Sequence, residues 1–358
     1  MTLVVIATAL VAGCGDPDAH KGGGEREPGA QNQSAGEPVA LPLPVTGRQM
    51  AVVPVGDTGE FVILDGRTGD GKRLWADLWA VRDGQARLLE HLDTPVLGPQ
   101  GWQASDGTVH IVGIDCENSS PEDGEPCGAA PLTWLRVDGD KVRRDTLDIR
   151  TSSNVSVLAI GVGDGAVVAA GRGTLTSPDL ARTAYWVATD GKVTRLGEIG
   201  DARLCADGDR AVAFPASLDE PAAIREIRDG VIAEVGRVEP IPAELAEVLG
   251  CSEGGSALVG IMGPEISYRT LSADGTYSEL RLDSPVGLEP GNGTLFSWDV
   301  EEGDEIERTW VLTEHRGDER VQVGKTTAGE APRLTTRSGE TVIAVSSRDG
   351  EKLLEEIG

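Results

Sequence analysis

Apolar and polar residues alternate in short runs along most of this chain, and each run is closed by Gly beside Asp, Asn or Ser. In TWLRVDGDKVRRDTL around Trp134 and AYWVATDGKVTRL around Trp186, an aromatic residue opens an alternating strand, Asp-Gly turns it, and a second strand returns. The design recurs at Trp79 with Asp83-Gly84, at Tyr268 with Asp274-Gly275 and at Trp310 with Gly317. Alternation with period two marks half-buried strands, and Gly with Asp or Asn supplies the positive φ that tight hairpins need. These stretches predict a repeated β-hairpin.

A second turn lies upstream of each hairpin, with Gly59, Gly107, Gly165, Gly208, Gly255, Gly293 and Gly339 as its glycines. Apolar β-formers usually follow, as in FVIL from Phe61, TVHIVGI from Thr108 and TVIAV from Thr341. The mean spacing of these glycines is about 47 residues, the period of a four-stranded propeller blade. The expected fold is therefore all-β: a β-propeller of seven blades with four antiparallel strands each, six or eight blades being the alternatives. Trp79, Trp134, Trp186 and Trp310 are expected at equivalent strand positions between blades, while Trp102 or Trp298 is a candidate for a binding surface. The segment PAELAEVLG from Pro242 reads as one short helix.

After Gly339 the residues complete three strands and no fourth. Residues 39–45, VALPLPV, have no partner in the first unit, so they are expected to pair with the last blade and close the ring. Both tight turns of every unit fall on one face of the disc. The variable connections fall on the other: Arg67 to Arg73, Cys116 to Pro131, Arg172 to Thr183, Ala216 to Pro221 and Asp299 to Arg308. Function concentrates on variable loops carried by a rigid scaffold, so that second face is where a ligand is expected.

The N-terminus reads differently. Leu3 to Gly13 is almost continuously apolar, too short to span a bilayer but suited to the core of a signal peptide. It ends in Val11-Ala12-Gly13-Cys14, which resembles the bacterial lipobox. That resemblance implies a signal peptide over residues 1–13, lipidation of Cys14 and export to the outer face of the cytoplasmic membrane, with a short buried strand as the other reading. No Lys or Arg precedes the apolar run, a departure that leaves Met1 as the true start an open point. Residues 14–38 have the Gly, Pro, Glu, Asn and Gln content of a flexible tether, and residues 39–358 form the propeller domain.

With Cys14 assigned to the anchor, four of the five cysteines remain. An even number in an exported protein favours disulfides over metal ligation. Cys116 and Cys127 bracket one loop. Cys205 and Cys251 lie three residues before Gly208 and Gly254, equivalent places on adjacent inner strands, so a bridge between blades is expected; two buried thiols are the alternative.

The chain carries 59 Asp and Glu against 32 Lys and Arg, a formal charge of −27. That field repels phosphate backbones, so no nucleic-acid partner is expected. The four histidines, His20, His91, His110 and His315, show no metal-ligand spacing, and there is no G-x-S-x-G elbow. DVEEGDEIE from Asp299 reads as a solvated acidic loop before it reads as a calcium site. No catalytic residue, metal site or cofactor is assigned.

LDGRTGDGKRLW, with Asp65, Thr68, Gly69, Lys72 and Trp75, resembles the tryptophan-docking repeat of quinoprotein propellers, with its Trp displaced by two residues. In that family the motif is structural, so it implies the fold and not pyrroloquinoline quinone. As a whole the chain resembles bacterial, actinobacterial-like lipoproteins with a WD40-like or quinoprotein-like propeller ectodomain. The expected function is a monomeric, lipid-anchored binding module for a protein or glycan. The competing readings are a hydrolase or lactonase with a metal in the central channel, and an accessory subunit of a membrane complex.

Overall fold

A computed structural model describes residues 39–40, 50–68, 74–94, 96–115, 130–151, 157–172, 181–242, 245–263, 266–280, 287–291, 294–303, 308–316, 319–348 and 351–357. Cys14, Cys116 and Cys127 lie outside these residues, as do residues 41–45. Contacts separate residues 1–34 from residues 35–358, and the described residues all belong to the second unit.

That unit is a seven-bladed β-propeller of four-stranded antiparallel sheets. Strand β1 (Val39–Ala40) precedes blade 1, which holds β2 (Met50–Val55), β3 (Glu60–Thr68), β4 (Leu74–Arg82) and β5 (Gln85–Leu92). Blade 2 holds β6 (Val96–Gln103), β7 (Val109–Asp115), β8 (Ala130–Asp138) and β9 (Lys141–Thr151). Blade 3 holds β10 (Leu158–Val162), β11 (Gly165–Arg172), β12 (Ala181–Ala188) and β13 (Val193–Gly200). Blade 4 holds β14 (Ala202–Asp207), β15 (Arg210–Pro215), β16 (Ala222–Arg228) and β17 (Val231–Val238). Blade 5 holds β18 (Leu245–Cys251), β19 (Ala257–Met262), β20 (Ser267–Leu271) and β21 (Tyr277–Leu280). Blade 6 holds β22 (Gly287–Gly291), β23 (Thr294–Gly303), β24 (Arg308–Arg316) and β25 (Glu319–Ala328). Blade 7 holds β26 (Arg333–Ser338), β27 (Thr341–Arg348) and β28 (Glu351–Ile357), and β1 supplies its fourth strand.

The first strand of each blade packs against the first strands of both neighbours, giving a closed inner ring. Ring closure follows the expectation: Val39 pairs with Glu356 and Ala40 with Glu355. Without β1, the outer edge of β28 would present unpaired N–H and C=O groups.

The seams between blades are apolar because each strand turns alternate residues to its two neighbours. Ala51, Val53, Val62 and Leu64 of blade 1 meet Val109, Ile111 and Val137 of blade 2. Phe61 and Ile63, one residue out of phase, meet Ile343 and Leu354 of blade 7.

Three expectations need correction. The stretch from Pro242 is not helical: Leu245–Cys251 is the inner strand of blade 5. Its Ala and Glu favour helix, but helix propensity is worth only tenths of a kcal/mol per residue. Here β18 gains a ladder with β19 and further bonds to the β15–β16 connection of blade 4, where Leu218 N–H donates to Ala246 O and Ala216 O accepts Val248 N–H, each at 2.9 Å.

Trp79 is not equivalent to Trp134. In blade 1 the turn is Asp83-Gly84 and in blade 2 it is Gly139-Asp140, so Gly stands second in one and first in the other. Counting back from Gly therefore puts the two rings in opposite phase. Trp134 packs forward against blade 3, while Trp79 packs back against the blade 7 seam. A slip of one residue reverses every side chain.

Trp102 and Trp298 do not reach a surface, since both are buried. Trp102 lies over the inner strand of blade 3, where a Cβ at Gly161 would stand 2.5 Å from the indole. The ring fits there because position 161 has no side chain.

Candidate functional site: the loop-rich face

Strand order gives the disc two unlike faces. In every blade the first and second strands, and the third and fourth, meet at one face; the remaining connections meet at the other.

The tight-turn face is tied from blade to blade. Ser338 of blade 7 donates its hydroxyl to Gly56 O at 2.9 Å and accepts Gly59 N–H at 3.1 Å. Gln103 of blade 2 accepts Gly56 N–H at 2.6 Å, and Ser105 donates to Asp164 of blade 3 at 3.1 Å. A disulfide joins Cys205 of blade 4 to Cys251 of blade 5, with Cα atoms 5.3 Å apart. Gly339 has φ of +57°, and a Cβ there would stand 2.7 Å from Asp57 O. These contacts link blades 7, 1, 2 and 3, and blades 4 and 5, near the turn face.

The loop-rich face carries polar rows that run across strands. In blade 1, β3, β4 and β5 set Asp65, Asp77 and His91 side by side, because Asp65 pairs with Asp77 and Asp77 with His91. Both carboxylates are buried, and the Asp77 carboxylate lies 2.7 Å from His91 Nδ1. The His91 side chain is half exposed, with Trp75 6.5 Å away ring to ring. In blade 2, Asp115 accepts from Thr133 at 2.7 Å and from Arg144 at 2.8 Å, and Arg144 also donates to Thr94. In blade 3, buried Arg182 pairs with Asp201 at the start of the next blade.

Chemically, the Asp77–His91 pair is an oriented imidazole beside an aromatic ring. Among the described residues no hydroxyl or thiol hydrogen-bonds His91, so a nucleophile–base pair is not assembled there. Among the described residues, too, no group of three His, Cys, Asp or Glu side chains could hold a metal ion. Asp299, from the acidic stretch, is half buried near Ser297, and Glu301 pairs with Lys325 at 2.5 Å.

Two other histidines are interior. His110 lies between Trp102 and Trp134, with ring centroids 5.1 and 5.4 Å away, and accepts the Trp134 indole N–H on Nδ1 at 3.0 Å. The ring proton then sits on Nε2, which is buried without a hydrogen-bond partner among the described residues. Burial pushes its pKa down to about 4. The guanidinium of Arg136 stacks on Trp134, 4.3 Å from the ring centre. His315 Nε2 lies 2.7 Å from Ser297 Oγ, and burial lowers its pKa as well. Ser297 is only 1% exposed, so this Ser–His pair has no access for a substrate.

Sequence spacing missed the blade 1 row because its members are 12 and 14 residues apart and meet only through strand register. The one available signal was parity: all three sit near the same ends of consecutive strands.

No family model matches the chain, and no curated protein matches it. Among solved structures it is similar to Saccharomyces cerevisiae Sqt1, with 10% identity over 88% of this chain and 87% of that one at a TM-score of 0.48. It is also similar to a candidate 6-phosphogluconolactonase from Bacteroides uniformis, with 14% identity over 83% and 95% of the two chains at a TM-score of 0.48. A third similarity, to the acylaminoacyl peptidase of Pyrococcus horikoshii, has 13% identity and a TM-score of 0.45, and covers 87% of this chain but 50% of that one.

Proposed function

We propose that this chain is a lipid-anchored extracytoplasmic binding module that takes a protein or glycan on the loop-rich face of its propeller. Cys14 would carry the lipid at the outer face of the cytoplasmic membrane, and residues 39–358 would form the binding body. The observation that carries the reading is the asymmetry of the two faces. Hydrogen bonds and a disulfide tie neighbouring blades together at the tight-turn face, whose turns are short. The opposite face has the long, unequal connections and the half-exposed His91 beside Trp75. A rigid scaffold with its variable connections gathered on one side is a general arrangement for recognition.

The test has two parts. Metabolic labelling with a radioactive or alkyne fatty acid should mark the native chain and not the Cys14→Ala variant. Binding of the purified chain to cell-envelope glycans and proteins should then fall on substitution of His91 or Trp75 and stay unchanged on substitution of Asp140 on the turn face. Equal loss at both faces would sink the assignment of the binding surface. A stoichiometric, tightly held Ca²⁺ or Zn²⁺ in the purified protein would move the reading to the hydrolase alternative.

A further inference from the structure

Strand β17 is the last of the blade 4 sheet, so one of its edges pairs with no strand among the described residues. That edge is poorly guarded. Val231 and Val235 are 63% and 38% exposed, and Ala233 between them is exposed as well. The only charge within Val231–Val235 is Glu234, which Arg237 of the same strand pairs at 2.8 Å. The outer strand of blade 2 is the contrast: β9 carries Lys141, Arg143, Arg144, Asp145 and Asp148, the charges that keep an edge from pairing.

The hairpin fixes which backbone groups of β17 face outward. Asp229 and Gly230 form a two-residue turn with φ of +51° and +73°, and Arg228 pairs with Val231. Such a turn closes on a hydrogen-bonded pair, and these pairs alternate along an antiparallel ladder. Val231 and Ala233 therefore turn their N–H and C=O groups to β16, while Ile232 and Glu234 turn theirs to the open edge. The sequence is also self-complementary about Ala233. Folded on that residue, Asp229-Gly230-Val231-Ile232-Ala233-Glu234-Val235-Gly236-Arg237 sets Val231 against Val235, Gly230 against Gly236 and Asp229 against Arg237.

We propose that two copies of this chain pair β17 to β17 across a two-fold axis at Ala233, in place of the expected monomer. Their blade 4 sheets then join into one antiparallel sheet of eight strands. Ile232 of each copy exchanges hydrogen bonds with Glu234 of the other, which is the parity the hairpin dictates. Val231 meets the other copy's Val235 at the closer, non-hydrogen-bonded positions, where cross-strand side chains interact most. Asp229 of each copy comes opposite Arg237 of the other, so the contact is complementary in charge as well as isologous. A bulge at Val235 and the blade 5 turn limit its length, since a Cβ at Gly236 would stand 2.5 Å from Ala273 O. Five residues a side make a small interface and hence a reversible dimer. The pairing depends neither on the lipid anchor nor on the loop-rich face.

Sedimentation velocity of the full chain over a range of concentrations tests it, with Val231→Lys, Val235→Glu and the double variant alongside. Both positions are exposed, so every variant should keep the thermal transition of the parent. The parent should shift from monomer to dimer as concentration rises, and each single variant should weaken association at least tenfold. The double variant should regain it, because the introduced ammonium at 231 then faces the introduced carboxylate at 235 of the other copy. Hydrogen exchange at the Ile232 and Glu234 amides should slow with concentration in the parent and in the double variant only. A parent that stays monomeric overturns the proposal, as does association that neither single variant weakens. Loss in the single variants without recovery in the double overturns the two-fold register.

Discussion

Cys205 and Cys251 are covalently joined across the seam between blades 4 and 5, one on each inner strand, 46 residues apart in sequence. The bond reinforces a seam where Cys205 is already packed among Val212, Phe214, Ala246 and Val248. Closing a loop of this length stabilises a fold by about 2–4 kcal/mol, chiefly by restricting the unfolded chain. A Cys205→Ser, Cys251→Ser double variant is expected to fold and to unfold several degrees lower on heating. Because Cys205 is fully buried, reductant alone should leave the native bond largely intact until partial denaturation exposes it. A double variant with unchanged Tm would show that the seam packing suffices.

Ring closure by β1 makes a second prediction. Deletion through Ala40 removes the Val39 and Ala40 ladder positions and opens the edge of β28. Two lost ladder bonds cost about 1–3 kcal/mol. Hydrogen exchange should accelerate at Glu355 and Glu356 more than at the inner strands. The open edge should also increase self-association with concentration, which sedimentation would detect. A truncated chain beginning at Ala35 keeps the strand and should behave as the full propeller does.

The repeat was legible because tight turns impose their residue types locally: Gly with Asp or Asn is a steric demand that no distant contact replaces. Such turns set the blade boundaries, the vacancy in blade 7 and the equivalence of Cys205 and Cys251. Three other features depend on neighbours. Position 79 changed face because Gly84 is the second residue of its turn. The strand at Leu245–Cys251 carries helix formers and is decided by pairing with Ala216 and Leu218 of another blade. The Asp65, Asp77 and His91 row exists only in the register of three strands, so spacing along the chain could not reveal it.

Gly161 tests the close approach between blades 2 and 3. A methyl group there would meet the Trp102 indole at 2.5 Å, and the ring is itself stacked on His110. Overpacking of this kind costs about 1–3 kcal/mol. Gly161→Ala is expected to lower stability by that amount and to change tryptophan fluorescence as the Trp102 ring shifts. Pairing it with Trp102→Phe should recover part of the loss, because the smaller ring relieves the contact; no recovery would place the strain elsewhere.

His110 provides a pH dependence whose sign follows from its surroundings. Burial between Trp102 and Trp134 depresses its pKa to about 4 from an ordinary 6.5. The folded protein holds the ring neutral, with Nδ1 accepting from the Trp134 indole, and a protonated ring could not accept that bond. Between these two values the unfolded chain binds more proton than the folded one, so stability falls as pH drops from about 6.5 towards 4. The loss from this residue is on the order of 2 kcal/mol once the shift is discounted for partial solvent screening. His110→Phe should remove that part of the dependence while keeping the aromatic stack. It should also lower stability at neutral pH by about 1–3 kcal/mol, since the Trp134 N–H loses its acceptor. Denaturant midpoints measured from pH 7 to 4 separate the two effects: the variant's curve should start lower and run flatter. Parallel curves would mean that carboxylate protonation, and not His110, governs the acid limb.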